Sequence, residues 1–348
     1  MAFTEINLSE LNGENGFVIN GVDNNDNAGY SVSNSGDVNG DGFEDLIIGA
    51  PRAGSGAYFG YEGRTYVVFG SDEGFDTSFE LADLDGNNGF VLNGINNYDN
   101  SGRSVSNAGD INGDEISDLI IGAPYAGNGG ESYVVFGSDE GLDASFELAD
   151  LDGSNGFTVN GIEGNFGRSV SNAGDINGDG ISDLIIGAPY AGPDSPYGYS
   201  NSAGESYVIF GSDEDFDANL SVGDLDGSNG FVITGIDRYD NSGRSVSNAG
   251  DINGDGISDL IIGAPNANIS DKYSIEGQSY IEFAREEEID SSLEFDTDNC
   301  YAHNLIGLYL IEQFRHTETL VSLERYPELH PQVENIHNKL LMTHDMTD

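Results

Sequence analysis

The sequence predicts an all-β protein assembled from four copies of one small antiparallel sheet, followed by a segment of different character. A nine-residue acidic loop occurs four times, and each copy leads into the same short apolar run and then a β-branched, aromatic stretch. With 50 glycines, 8 prolines and no tryptophan in 348 residues, the composition is that of a chain built from turns. The loops begin at positions 37, 110, 175 and 251, so the units are 73, 65 and 76 residues apart. That period is too long for a helical hairpin repeat and suits a unit of several strands.

The first loop is Asp37-Val-Asn39-Gly-Asp41-Gly-Phe43-Glu-Asp45, with side-chain oxygens at positions 1, 3, 5 and 9. The others repeat it as Asp110, Asn112, Asp114, Asp118; Asp175, Asn177, Asp179, Asp183; and Asp251, Asn253, Asp255, Asp259. In a tight turn this alternation aims every second side chain at one hard cation, and the position-7 carbonyl adds a further oxygen. Phe43, Ile116, Ile181 and Ile257 stand at that seventh position, where only the backbone is needed. The pattern predicts about four Ca²⁺ sites. Glycine at position 6 (Gly42, Gly180, Gly256) supplies the positive φ of such a turn, and Glu115 breaks the rule in the second loop. That site is expected to be the most strained or the weakest, unless Glu115 turns its carboxylate outward. An EF-hand would need a bidentate Glu at position 12, where this chain has Ile48, Ile121, Ile186 and Ile262.

Within each unit the pattern gives a polar alternating strand, the loop, an apolar strand such as Leu46-Ile47-Ile48, a glycine-rich excursion and a strand such as Ser132 to Gly137. A fourth strand of Gly-Phe type follows an acidic connection, at Gly16-Phe17, Gly89-Phe90, Gly156-Phe157 and Gly230-Phe231. The first of these precedes any triplet and the last triplet is followed by none, so the N-terminal strand is expected to complete the last blade. The connections Asp83-Leu-Asp85, Asp150-Leu-Asp152 and Asp224-Leu-Asp226 are expected to be turns rather than further cation sites.

The loops together with Gly49-Ala50-Pro51, Gly122-Ala123-Pro124, Gly187-Ala188-Pro189 and Gly263-Ala264-Pro265 resemble the FG-GAP repeat of integrin α-subunit β-propellers and their bacterial relatives. The aromatic half of that signature is less regular, with Tyr30, Arg103, Arg168 and Arg244 following the strand-entry glycines. The resemblance implies a β-propeller of four-stranded antiparallel blades over residues 1–284, each calcium loop joining adjacent strands. Members usually close a ring of seven. Four repeats imply either a compact ring or a partial ring completed by another chain. It further implies ligand contact on the face opposite the loops, where the excursions 51–63 and 189–204 carry Tyr58, Tyr61, Tyr197 and Tyr199.

Charge narrows the partners. Eleven Lys and Arg against 62 Asp and Glu give −51, which disfavours nucleic acid and anionic membrane. No apolar run is long enough to span a bilayer, and Met1-Ala-Phe-Thr-Glu-Ile lacks the features of a secretory leader. Loops of this type suit calcium at roughly 10⁻⁴ to 10⁻³ M, so an extracellular or cell-surface location is expected. One cysteine, Cys300, excludes an intrachain disulfide.

Residues 285–348 form an acidic linker and a partly helical segment, with helical periodicity over 304–323 and 333–341. His303, His316, His330 and His337 with Cys300 match no standard zinc spacing. The repeats contain no histidine, so no Ser-His or Cys-His device can be assembled there, and the carboxylates are taken up by loops and turns. The expected function is non-catalytic: a calcium-binding adhesion or binding module with a protein or glycan ligand. The alternatives are a self-associating surface-layer or matrix protein and a propeller attached to a hydrolase.

Overall fold

The computed structural model describes residues 7–54, 61–141, 143–192, 202–268 and 276–284. The chain divides into Met1–Glu287 and Glu288–Asp348, and the second unit lies outside the described residues, as do its histidines, Cys300 and the two helices expected there.

A lone strand β1 (Val18–Asn20) precedes the first blade, which consists of β2 (Ser31–Gly36), β3 (Asp45–Ala50), β4 (Arg64–Val68) and, after a short β5 (Ser78–Glu80), β6 (Gly89–Asn93). The second blade repeats this with β7 (Ser104–Gly109), β8 (Asp118–Ala123), β9 (Glu131–Val135), β10 (Ser145–Glu147) and β11 (Gly156–Asn160). The third has β12 (Ser169–Gly174), β13 (Asp183–Ala188), β14 (Glu205–Ile209), β15 (Asn219–Ser221) and β16 (Gly230–Thr234). The fourth contains β17 (Ser245–Gly250), β18 (Asp259–Ala264) and β19 (Gln278–Glu282). The four long strands of a blade pair antiparallel in chain order, as β2-β3-β4-β6 shows.

The apolar second strand explains why blades stack. Its residues alternate between two neighbours, so Ile47 packs towards the second blade while Ile48 packs towards the other side. Ile121 likewise joins Ile47, Val67 and Phe90 between blades one and two, while Ile120 joins Phe166, Leu184 and Ile186 between blades two and three. Each core is therefore shared by two blades, which is the economy of a repeat protein. First strands also lie side by side, β2 on β7, β7 on β12 and β12 on β17, but β17 and β2 are not packed in this way.

The ends of the row differ from its middle. Val32 of the first blade is 67% exposed whereas its counterparts Val105 and Val170 are each 7% exposed. Leu46 is 36% exposed whereas Leu119 and Leu184 are at 1% and 0%. Among the described residues no recorded strand pairing joins the N-terminal strand to the last blade. β1 runs parallel to β5, and β19 pairs only with β18 among the described residues. The parallel pairing of β1 with β5 recurs along the chain: β10 lies beside β6 and β15 beside β11. β1 thus occupies the place of an outer strand preceding the first blade, held there as Ile19 packs onto the Ile48, Tyr66 and Leu81 cluster and Phe17 stacks on Phe75 at 4.2 Å.

Candidate metal centres

Each acidic loop joins the first and second strands of its blade. A β-bulge at Ser35, and at the equivalent point of the other units, precedes the loop and turns the chain into it. Inside the loop, position 1 organises the turn. The Asp37 carboxylate accepts from the amides of Asp41 and Gly42 at 3.0 and 2.8 Å, and Asn39 Oδ1 accepts from the same Asp41 amide at 3.0 Å. Asn39 Nδ2 donates to Asp41 Oδ2 at 2.9 Å, and Asp41 Oδ1 accepts from Phe43 N at 2.9 Å. Positions 1, 3 and 5 are therefore gathered over one turn, with Phe43 held through its backbone. The same bonds recur at Asp110, Asn112, Asp114 and Ile116. They recur again at Asp175, Asn177, Asp179 and Ile181, and at Asp251, Asn253, Asp255 and Ile257.

Position 9 lies on the inner side. Asp45, Asp118, Asp183 and Asp259 are completely buried at the head of the second strand. Asp45 accepts from Val38 N at 2.9 Å and Gly70 N at 2.8 Å; Asp118 accepts from Ile111 N and Gly137 N, and Asp183 from Ile176 N and Gly211 N. Asp259 takes the amides of Ile252 and Ala284. This residue staples the loop to the end of the third strand. Burial pushes the Asp45 carboxyl up to about 6, Asp183 to about 7 and Asp118 to about 8, against the opposing pull of the two amides. The acidic residues at positions 1 and 5 push in the same direction as burial.

These donors are hard oxygens, which fits Ca²⁺ or Mg²⁺ rather than a soft metal. Among the described residues no three His, Cys, Asp or Glu groups are clustered closely enough to hold a metal by themselves. A cation in these loops would draw on the Asn oxygen and a backbone carbonyl beside the carboxylates. Burial is the main cause of these raised values, and a divalent ion beside positions 1 and 5 would oppose it.

Loop shape explains the position-6 rule and its exception. Gly42, Gly180 and Gly256 have φ of 91°, 92° and 94°, and Glu115 is held at 71°. The glutamate carries a left-handed backbone that a side chain tolerates poorly. Adjacent loops are also tied together. Ser117 N donates to Asp37 O at 3.1 Å, Ser182 N to Asp110 O at 3.0 Å and Ser258 N to Asp175 O at 3.3 Å.

The acidic connections are turns, each built on a short 3-10 segment such as Leu81–Asp83. Amide and hydroxyl donors within the turn hold Asp85, Asp152 and Asp226 below the usual carboxylate range, the side chain of Ser154 or Ser228 leading in the latter two. Sequence reasoning missed a different set, the buried Asp26, Asp99 and Asp240 in the links between blades. Asp99 Oδ2 accepts from Asn96 N at 3.0 Å and Asp240 Oδ2 from Asp237 N at 3.2 Å, closing the link on itself. The repeated Asp-Asn-Ser-Gly at 99–102 and 240–243 was the available signal. Of the four tyrosines proposed for ligand contact, Tyr58, Tyr197 and Tyr199 lie outside the described residues. Tyr61 lies edge-on to Tyr98 at 6.2 Å, with the Arg52 guanidinium over its ring at 5.9 Å.

Four-stranded blades in series, each with an acidic loop at the same corner, define a repeat protein of the β-propeller type. The family model of the FG-GAP repeat matches residues 28–68, 101–135, 166–209 and 242–281, and this chain is an FG-GAP repeat protein. It is similar to integrin alpha-5 of Xenopus laevis, 33% identical over 165 residues that make up 46% of this chain and 14% of that protein. It is 32% identical over 185 residues to integrin alpha ina-1 of Caenorhabditis elegans, covering 51% of this chain and 16% of that one. Similarity extends to the phosphatidylinositol-glycan-specific phospholipase D of Mus musculus, at 33% over 165 residues, 46% of this chain and 18% of the enzyme. The chain thus spans 14 to 18% of the length of these relatives.

Proposed function

We propose that this chain is a calcium-binding FG-GAP module that binds a protein or glycan ligand at the cell surface or outside the cell, without catalysing a reaction. The observation that carries this reading is the fourfold gathering of positions 1, 3 and 5 around one turn, with a shared set of hydrogen bonds in each unit. Asp37, Asn39, Asp41 and Asp45, the Phe43 carbonyl and their counterparts would hold the ion, which would lock the loops and the links between them. Residues 1–284 form the binding unit in this reading and 285–348 an accessory segment. Similarity to integrin α chains supports an adhesive role, and among the described residues no helix is long and apolar enough to cross a membrane.

Calcium titration by calorimetry, with magnesium as control, tests the reading. About four ions per chain and a marked rise in melting temperature are expected. No binding at millimolar calcium would reduce the loops to turns and remove the main support for the module.

A second reading, self-association, is favoured by the unmatched ends of the row. The exposed Val32 and Leu46 at one end and the exposed Ile281 and Phe283 at the other stand at the positions that form a joint made three times within the chain. Sedimentation of the calcium-loaded chain decides it: a mass that stays at 36.9 kDa over a hundredfold range of concentration would exclude the assembly.

A further inference from the structure

The chain is overwhelmingly acidic, with only 11 Lys and Arg in 348 residues, yet three of those arginines stand at equivalent points of successive blades. Arg103, Arg168 and Arg244 each follow the glycine that enters the first strand of a blade. Each has its amide bonded to the same two carbonyls, as Arg103 N is to Asn100 O at 3.1 Å and Gly122 O at 3.2 Å. First strands pack side by side, so these residues are one blade step apart. The glycine carbonyl before each arginine presses on the preceding blade: a Cβ on Gly122 would lie 2.1 Å from Gly167 O, and one on Gly187 2.0 Å from Gly243 O. The row lies at the end of the first strands remote from the acidic loops, since every first strand runs from the arginine end into its loop.

The partners of the arginines are aromatic. Arg103 lies over the ring of Tyr30, the residue at the equivalent point of the first blade, at 4.5 Å. Arg244 donates to Tyr190 Oη at 3.3 Å. Tyr125 stands at the position in the second unit that Tyr190 holds in the third, after Pro124 and Pro189. Tyr30, Tyr125 and Tyr190 are all exposed. The groups that act on Arg168 are burial first, then Arg103 and Arg244, all disfavouring its charge; Tyr125 and Tyr30 oppose them, and no carboxylate is among them. Three like charges stand one blade step apart on an acidic protein, with phenol rings as the partners recorded among the described residues, and a bound anion would offset their repulsion.

We propose that Arg103, Arg168 and Arg244, flanked by Tyr30, Tyr125 and Tyr190, bind a short acidic segment of a partner protein on the face away from the acidic loops. Guanidinium groups donate to carboxylates in a bidentate fork, and Arg and Tyr are among the residues that dominate protein recognition hot spots. The surrounding negative charge restricts the ligand to a compact acidic stretch, because an extended polyanion would be repelled over most of its length. This deepens the binding-module reading and rests on it.

The test is fluorescence anisotropy of a short labelled peptide of alternating glutamate and aspartate, titrated with the full chain in millimolar calcium. A Gly-Ser peptide, an oligogalacturonate and inorganic sulfate serve as competitors. The acidic peptide is expected to bind, to weaken with added salt, and to lose about tenfold or more in affinity with Arg168→Gln, the worth of one charge-assisted contact. Arg168→Lys should recover part of the loss, and the melting temperature of both variants should match the parent. Binding unaffected by Arg168→Gln would overturn the site, since the peptide would then be held elsewhere, for example through calcium at the loops. Equal competition by sulfate would reduce it to an anion site without a protein ligand, and preference for oligogalacturonate would assign it to an acidic sugar; either result overturns the proposal. Calcium stoichiometry measured on the same samples separates failure of the module from failure of this site.

Discussion

The first blade and the two inner blades are built from nearly the same letters and differ in what surrounds them. Asp-Leu-Ile-Ile-Gly-Ala is the second strand of every blade. In the second and third it is buried along its whole length, while in the first Leu46 reaches solvent. One leucine is thus a core residue or a surface residue according to whether a preceding blade is present. Burial in a repeat protein is a property of the joint, not of the strand.

The largest expected effect sharpens this contrast. Leu184→Ala should cost about 2–5 kcal/mol, the range for emptying a filled core position, whereas Leu46→Ala should cost less than about 1 kcal/mol. The midpoint of urea unfolding measures both. Equal losses would mean that the first blade is packed as tightly as the inner ones.

The buried position-9 carboxylates extend the comparison to charge. Their pKa is raised from 3.8 to about 6 at Asp45, 7 at Asp183 and 8 at Asp118, so the folded chain holds these protons more tightly than the unfolded one. Stability from this source is greatest below the unfolded value and is lost as pH rises through the folded values. In chelator the melting temperature should therefore fall between about pH 4 and 8. The part due to Asp45 should be complete at the lowest pH, and Asp118→Asn should flatten the slope more than Asp45→Asn. Saturating calcium should remove most of the slope. A pH-independent melt in chelator would show that these carboxylates are well solvated.

The smallest effect concerns one backbone angle. Glu115→Gly should stabilise the second loop by about 0.5–1 kcal/mol, because glycine carries a left-handed φ at little cost. Chemical denaturation with and without calcium measures it. The same substitution should tighten calcium at that loop alone, and an unchanged affinity would locate the strain outside the binding geometry.

The local elements were legible in the sequence because they are locally determined. Alternation gave β2 and its counterparts, the apolar run gave β3, and spacing of oxygens gave the loop with its left-handed sixth residue. The short strands β5, β10 and β15 were not legible. Ser-Phe-Glu at 78–80 is too short to declare itself and becomes a strand only by lying beside an outer strand 60 residues earlier in the chain. The neighbours of β1 were not legible for the same reason. Its letters match an outer strand, but strand type does not say which edge it joins, and Ile19 and Phe17 settle that by packing on the first blade. Position 9 was half visible: the sequence marks Asp45 as an expected oxygen donor but not its two backbone amides, one of which comes from Gly70 at 25 residues' remove.

The joint between blades also bears on how such chains arise. Gly49, Gly122 and Gly187 each receive the strand-entry carbonyl of the following unit, and Asp37, Asp110 and Asp175 each receive the amide of the next loop's serine. Every unit therefore carries one half of the joint on its leading side and the complementary half on its trailing side. A gene segment encoding one unit can be duplicated or deleted in frame, and the units left on either side still meet through matching surfaces. The interface fixes the order and direction of the blades while leaving their number to be set by duplication, so blade count is a variable that lineages can change without inventing a new contact.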